Sequence, residues 1–116
     1  MRILVVDDDP INRFLLVNML EQQGYVDTFE AENGREAITL AKQVEPDLVL
    51  LDAMMPEMDG YEAAPLLKEM TGDIYLPVIF ITALEDQEGL AKCLEVGGDD
   101  FVSKPLNPKI LFLWNQ

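Results

Sequence analysis

Short apolar runs, separated by longer stretches of mixed character, are the clearest pattern along this chain. Four runs are almost wholly apolar: Ile3–Val6, Leu48–Leu51, residues 77–82 and residues 101–103. A fifth run, residues 26–31, is more polar. Runs of this length without strict alternation of polar and apolar positions are typical of strands that are buried on both faces of a sheet. The pattern therefore predicts five strands, of which the first, third and fourth are buried.

Helix signals fill the stretches between these runs. Asp9 is placed to cap a first helix and Pro10 to occupy its first turn, and Gly24 is expected to end it. Asn33, with Glu36 three residues later, opens a second helix with a pattern that resembles a capping box. Three further helical segments are predicted, at residues 60–70, around residues 90–97 and at residues 108–114.

Two details of these helices are specific enough to be checked. The first helix is expected to bury the side that carries Ile11, Leu15 and Met19, which recur at a spacing of four. Three more apolar residues widen that side: Phe14, Leu16 and Leu20. In the third helix, Pro65 falls in the middle and is expected to kink the helix or divide it into shorter pieces.

Strands that alternate with helices, most of the strands wholly apolar, indicate an α/β fold with a parallel sheet covered by helices on both faces. Right-handed crossovers and a doubly wound arrangement leave few topologies open. In such sheets the functional site lies outside the carboxyl ends of the strands, where the winding reverses. The polar residues at the strand ends are therefore the candidates for chemistry.

Composition limits the kinds of function. The 116 residues suit a single domain over 1–116, with the last helix cut short at Gln116. Eight basic against 22 acidic residues give a net charge of -14, which argues against binding to nucleic acid or to an anionic membrane and favours divalent cations and basic partner surfaces. No apolar run is long enough for a membrane span, and the expected location is cytoplasmic.

Two residue types narrow the chemistry further. The chain has no histidine, which excludes a catalytic triad built on a histidine base. Its one cysteine, Cys93, cannot form an internal disulfide and is interpreted as a small core residue.

Five polar residues stand at the ends of four of the predicted strands. Asp7 and Asp8 follow the first strand, Asp52 the third, Thr82 ends the fourth and Lys104 follows the fifth. Neighbouring carboxylates repel one another unless a cation lies among them, and an all-oxygen ligand set suits Mg²⁺ or Mn²⁺. A lysine and a hydroxyl match the charge and the acceptor oxygens of a phosphoryl group. The set predicts phosphoryl chemistry, with Asp52 as the nucleophile because it stands alone on the central strand.

These residues, in their local motifs, resemble the receiver domain of two-component response regulators, a CheY-like family. The resemblance runs in order over nearly the whole chain. Its motifs are Asp7-Asp8 after the first strand, Leu50-Leu51-Asp52 followed by Met55-Pro56-Glu57-Met58-Asp59-Gly60, Ile81-Thr82-Ala83, and Asp99-Asp100-Phe101-Val102-Ser103-Lys104-Pro105. The resemblance implies the flavodoxin-like strand order 2-1-3-4-5.

The resemblance also implies roles for single residues. Asp52 would be the phosphoacceptor, and Mg²⁺ would be held by Asp52, by Asp7 and Asp8, and by the backbone carbonyl of Met54. Thr82 would bind the phosphoryl group, with Lys104 as its ion pair. Two further implied features lie on the fifth strand and just after it: Phe101 as the aromatic switch residue, and a cis peptide bond between Lys104 and Pro105.

As a receiver, the chain is expected to act as a regulatory switch and not as an enzyme, catalysing at most its own phosphorylation and slow dephosphorylation. The expected phosphodonor is a sensor histidine kinase or a phosphotransfer protein. The signal would leave through the face of the fourth helix, fifth strand and fifth helix, which could also pair with a second copy of the chain. Met54 and Leu84 are apolar where variable residues flank the site, and they are expected to impede water attack on the phosphoryl group.

Two alternatives belong to other classes. An aspartate-dependent phosphohydrolase of the haloacid dehalogenase type uses similar groups, and Asp7-Asp8-Asp9 offers its Asp-x-Asp pattern, but Pro10-Ile11 follow where that family has Thr or Val. A dinucleotide- or flavin-binding module is less consistent with the sequence, because no glycine-rich turn follows the first strand. Asp9 and Asp59 are interpreted as helix caps and turn formers, not as ligands.

Overall fold

The computed structural model describes residues 1–52, 58–72, 75–82, 95 and 100–103; for Thr82 and residues 100–103 it describes the backbone alone. Within this part of the chain, five strands and three helices follow one another. In chain order they are β1 (Ile3–Val6), α1 (Pro10–Gln22), β2 (Thr28–Ala31), α2 (Gly34–Val44), β3 (Leu48–Leu51), α3 (Gly60–Met70), β4 (Val78–Thr82) and β5 (Asp100–Ser103).

The five strands form one sheet in the order β2-β1-β3-β4-β5, and each of the neighbouring pairs is parallel. The predicted strand order and the predicted strands are confirmed, with β2 and β4 starting one or two residues later than the sequence pattern indicated. In this order β2 lies on one side of β1, and β3, β4 and β5 lie on the other. The winding of the sheet therefore reverses at β1.

Helices cover both faces of the sheet, as predicted. Alternate residues of the central strands point to opposite sides. On one side, Ile3 and Val5 pack with Leu16 and Leu20 of α1. On the other side, the second set of strand residues packs against buried positions of α2 and α3: Ala37, Ala41, Ala63, Ala64 and Leu67. The strands of β1 and β3 are therefore buried completely, which explains why they lack polar residues.

The predicted apolar side of α1 is wrong in part. Ile11, Phe14 and Leu15 are 67%, 65% and 50% exposed, whereas Leu16 and Leu20 are each 2% exposed. Apolar residues lie on every side of this helix, so the spacing of four that begins at Ile11 could not identify the side that contacts the sheet. The helix instead presents Leu16 and Leu20 to the strands and leaves the opposite side in solvent.

The helix caps agree with the sequence. Asp9 and Asp59 each accept a hydrogen bond from a backbone N–H of the following turn, at 2.9 Å. Asn33 accepts from the Glu36 N–H at 2.9 Å. These side chains satisfy N–H groups that have no partner inside the helix. The interpretation of Asp9 and Asp59 as caps is confirmed.

The third helix does not divide at Pro65. The structure has one helix over Gly60–Met70, with Pro65 inside it at an exposed position. A proline there removes one backbone hydrogen bond, the one that would reach back to Tyr61. Burial of the opposite side, including Ala64 and Leu67 at 0% exposure, holds the two halves in one helix.

Several predicted features lie outside the described residues. These are the fourth and last helices, the Met54 carbonyl, Leu84, Cys93, Lys104, the Lys104–Pro105 bond and the side chains of Thr82 and Phe101. No helix in the described part of the chain is long and apolar enough to cross a membrane.

Candidate functional site

The candidate site lies at the carboxyl edge of the sheet, where β1 and β3 end side by side. The register pairs Val6 with Leu51, so the next residues, Asp7 and Asp52, stand beside each other on adjacent strands. The pairing continues into them: the Asp52 N–H donates to the Val6 carbonyl at 2.9 Å, and the Asp7 N–H donates to the Ala31 carbonyl at 3.1 Å. Both aspartates are therefore fixed by backbone hydrogen bonds.

Three carboxylates gather at this edge. Asp7, Asp8 and Asp52 each offer a carboxylate oxygen within 4.8 Å of the others, a separation at which the three could hold one metal ion. Asp7 is 1% exposed and Asp52 is 6% exposed, while Asp8 is open to solvent. Two buried carboxylates at this distance from a third require compensating positive charge or hydrogen bonds. The site predicted from the strand ends is thus assembled, as far as its acids are concerned.

Hydrogen bonds orient Asp7 in particular. Its Oδ1 accepts a hydrogen bond from the backbone N–H of Asp9 at 2.9 Å, in the turn that leads into α1. The same Asp9 caps the helix, so the turn fixes the acid and the helix start together. The carboxylate of Asp7 is consequently held in one direction before any cation binds.

The other predicted site residues are placed by backbone alone or not at all. Thr82 is the last residue of β4, and its backbone pairs with Ser103 at the end of β5. Lys104 follows Ser103 directly in the sequence but lies outside the described residues, as does Met54. Phe101 pairs through its backbone with Phe80. The carboxyl ends of β4 and β5 thus adjoin the edge that carries the three acids.

Sequence reasoning did not identify Arg13, which lies against this site. Its guanidinium donates a hydrogen bond to the backbone carbonyl of Asp7 at 2.7 Å, and its side chain is only 12% exposed. Arg13 is three residues before Leu16 and seven before Leu20, so it belongs to the buried stripe of α1. Once the buried side of the helix is known, that spacing is the signal that points to it.

A close contact ties the segment after β3 to α2. The Gly34 N–H donates to the Met58 carbonyl at 2.8 Å, and a Cβ on Gly34 would lie 2.6 Å from that oxygen. Met58 is the first described residue after Asp52. Met58 is therefore anchored to the first residue of α2.

A cavity of about 630 Å³ opens at the opposite, amino edge of the sheet. It is lined in part by Arg2 and Asp47, which precede β1 and β3, and by Leu76, which precedes β4. Arg2 is engaged there, because its N–H and guanidinium donate to Asp47 and to the Val44 carbonyl. This cavity lies away from the three carboxylates and is not the candidate site.

Comparison with known proteins agrees with the fold and the site. Residues 3–113 match the family described as response regulator receiver domain. The DNA-binding response regulator MtrA of Mycolicibacterium smegmatis is 41% identical over 110 residues, which cover 95% of this chain and 46% of that protein. The chain spans less than half the length of MtrA and of the similar ycf27 transcriptional regulators.

Solved structures give the same result. The chemotaxis protein CheY4 of Vibrio cholerae superposes with a TM-score of 0.90 at 28% identity, covering 99% of this chain and 95% of CheY4. The receiver domain of a signal transduction histidine kinase from Syntrophus aciditrophicus gives a TM-score of 0.87 at 39% identity, covering 97% and 85% of the two chains. These matches give the phosphohydrolase alternative no support. The chain belongs to the receiver domain family of two-component response regulators.

Proposed function

We propose that this receiver accepts a phosphoryl group on Asp52 in a Mg²⁺-dependent reaction, and that the phosphorylated form regulates an output through another face of the domain. The observation that carries the proposal is the group of three carboxylate oxygens within 4.8 Å of one another at the carboxyl edge of a doubly wound sheet. Such a group repels itself in the absence of a cation, and oxygen-only ligands suit Mg²⁺.

The metal would be held by Asp7, Asp8 and Asp52, with the Met54 carbonyl as a further ligand from the segment that follows β3. When bound, Mg²⁺ supplies positive charge that neutralises phosphoryl oxygens as the phosphorus approaches a carboxylate. The chain's own contribution is to fix Asp7 through the Ala31 carbonyl and the Asp9 N–H, so this one ligand is oriented in advance.

The position of Asp52 supports it as the nucleophile. It stands at the end of the central strand β3, with the acids of β1 on one side and the end of β4 on the other. A carboxylate oxygen of Asp52 would form a bond to phosphorus while the phosphorus–nitrogen bond of a donor phosphohistidine breaks. The imidazole nitrogen keeps the electron pair and takes a proton from solvent, and the product is an acyl phosphate on Asp52.

The phosphoryl group carries a charge of about -1.5 to -2, which replaces the single negative charge of the Asp52 carboxylate. We expect Thr82 to donate a hydrogen bond to it and Lys104 to form its ion pair. Thr82 ends β4 and Lys104 follows β5, and these two strands are paired up to Thr82 and Ser103. Movement of Thr82 and Lys104 toward the phosphoryl group would open space for the Phe101 side chain and reshape the face beyond β5. The output follows from the different affinity of a partner for the two states.

The donor is proposed to be a phosphorylated histidine on a sensor kinase or phosphotransfer protein. The exposed apolar residues Ile11, Phe14 and Leu15 support a protein donor, because they stand together on α1, one turn after the acids. Exposed apolar groups of this kind favour protein contacts. A donor that docks there would lie next to the edge of the sheet that carries Asp52.

The central experiment is incubation of the chain with Mg²⁺ and acetyl phosphate, followed by intact mass and treatment with base. The wild type is expected to gain one base-labile phosphoryl group per chain, and Asp52→Asn to gain none. Asp59→Asn is the matched control: it makes the same chemical change at a helix cap, and it should be labelled like the wild type. No labelling of the wild type, or equal labelling of Asp52→Asn, would contradict the proposal.

A further inference from the structure

Arg13 makes polar contacts with three residues, and its side chain is largely buried. Its Nη1 donates to the Asp7 carbonyl at 2.7 Å, its Nε lies 3.2 Å from Oε1 of Glu30, and its Nη2 lies 3.8 Å from Oε1 of Glu32. The side chain is 12% exposed, against 49% and 65% for the two glutamates. One planar guanidinium therefore joins α1, the end of β2 and the end of β1.

The contact with Asp7 falls on a particular peptide group. The Asp7 carbonyl belongs to the peptide that links Asp7 to Asp8, two of the three acids that could hold a metal ion. The Asp7 N–H is bound to Ala31 and its Oδ1 to the Asp9 N–H. Arg13 thus fixes the backbone carbonyl of Asp7, and with it the orientation of the peptide from which both carboxylates diverge.

Charge alone would give Arg13 the opposite role. A guanidinium next to a group of carboxylates opposes the binding of a second cation, so on Coulomb's law its removal would tighten Mg²⁺ binding. Glu30 and Glu32 compensate the guanidinium charge, and the fork of donors remains available to hold the backbone. We propose that Arg13 is a positioning residue for the metal site: it holds the Asp7–Asp8 peptide in the orientation that directs both carboxylates to one cation.

This inference rests on the proposed Mg²⁺-dependent function, and its test uses the affinity for Mg²⁺ measured by calorimetry. Arg13→Gln is expected to weaken Mg²⁺ binding by about 10- to 100-fold, the usual effect of losing a residue that supports a metal ligand. Arg13→Lys keeps the charge but not the planar fork of donors. Its Mg²⁺ affinity is expected to lie between those of the wild type and Arg13→Gln. Arg35→Gln makes the same charge change at an exposed position of α2 and should leave the affinity within about twofold of the wild type.

The result that would overturn the proposal is an Arg13→Gln variant that binds Mg²⁺ as tightly as the wild type, or more tightly. If Arg13→Gln does not fold, Arg13→Lys decides: unchanged Mg²⁺ affinity in that variant also overturns the proposal.

A second measurement needs no metal. Hydrogen exchange of the Asp7 and Asp8 amides, which lie on either side of the Asp7 carbonyl, should be faster in Arg13→Gln and unchanged in Arg35→Gln. Unchanged exchange in a folded Arg13→Gln would show that Arg13 does not hold this backbone. A wild type that binds no Mg²⁺ while Arg13→Gln loses Asp7 protection would contradict the proposed function and overturn the metal-site role of Arg13, while retaining its hold on the backbone.

Discussion

At the scale of single residues, this site depends on backbone groups as much as on side chains. Asp7 and Asp52 are adjacent because the strand register continues one residue past the end of β1 and β3, and hydrogen bonds to Val6 and Ala31 keep it there. Arg13 then holds the backbone directly after β1, and Gly34 holds Met58, six residues after Asp52. In the proposed function the acids supply the chemistry, and Arg13 fixes the peptide from which two of them diverge.

Gly34→Ala is expected to destabilise the domain by about 1 to 3 kcal/mol, although alanine favours helix by about 1 kcal/mol. A Cβ at this position would lie 2.6 Å from the Met58 carbonyl and 3.0 Å from the Ala63 Cβ, so α2 or the segment at Met58 must move. The measurement is urea unfolding in the absence of metal.

The control for that substitution is Gln43→Ala, an exposed position on the same helix, which should change the free energy of unfolding by no more than about 0.5 kcal/mol. A Gly34→Ala variant as stable as the wild type would mean that the close approach to Met58 is not a constraint on the fold.

At the scale of elements, α1 has two sides with separate tasks. Arg13, Leu16 and Leu20 face the sheet and the acids, at the i, i+3 and i+7 positions of one stripe. Ile11, Phe14 and Leu15 face solvent. A substitution on the outer side can therefore test the proposed docking of a donor without changing how the helix packs.

Phe14→Ala is expected to reduce phosphotransfer from a phosphohistidine protein that labels the wild type by about tenfold, since an exposed aromatic residue can contribute 1 to 2 kcal/mol or more to a protein interface. Labelling by acetyl phosphate should not change, because the small donor has no contact with α1. The two rates are measured side by side by intact mass.

The control for Phe14→Ala is a substitution of an exposed apolar residue that lies outside α1. Val26 is 72% exposed and lies in the connection before β2. Val26→Ala should leave both labelling rates unchanged. If Phe14→Ala slowed labelling by both donors equally, the substitution would be acting on the fold or on the site, and docking of a protein donor to Phe14 would be contradicted.

At the scale of the whole molecule, the net charge of -14 and the group of three carboxylates act in the same direction. The repulsion from each destabilises the compact state, and cations reduce that repulsion. Monovalent salt screens the net charge of the whole domain. A divalent ion held by three carboxylates would further raise the free energy of unfolding by binding to the folded state. The two effects can be separated by measurement.

Mg²⁺ at ten times its dissociation constant is expected to raise the free energy of unfolding by about 1.4 kcal/mol above NaCl of equal ionic strength. In Asp8→Asn this excess should shrink or vanish, and the metal-free stability should rise because one of three like charges is gone. Thermal unfolding of both proteins in the two salts measures this. An Mg²⁺ effect that NaCl reproduces would argue against a specific site.

The elements with one-sided patterns were predictable from sequence, and the elements with ambiguous patterns were not. β1 and β3 are wholly apolar and each is followed directly by aspartate, so both the strands and the meeting of Asp7, Asp8 and Asp52 followed from the order of the residues. The buried side of α1 did not follow, because apolar residues surround the helix and only contact with the sheet selects one side. Arg13 was missed for the same reason.

Pro65 illustrates a second limit. The local preference against proline inside a helix is real, but it is opposed by the burial of Ala64 and Leu67 against the core, and the helix remains continuous. Sequence patterns describe local preferences, and tertiary contacts decide between them where the two conflict.

The division of α1 into an inner and an outer side has a consequence for how such a protein can diversify. If the outer side binds the proposed phosphodonor, changes at Ile11, Phe14 and Leu15 after a gene duplication could redirect a copy to a new donor while the inner stripe preserves the packing and the acids. Separate signalling routes could then arise from one ancestor through substitutions in a single surface, without a loss of stability or chemistry along the way.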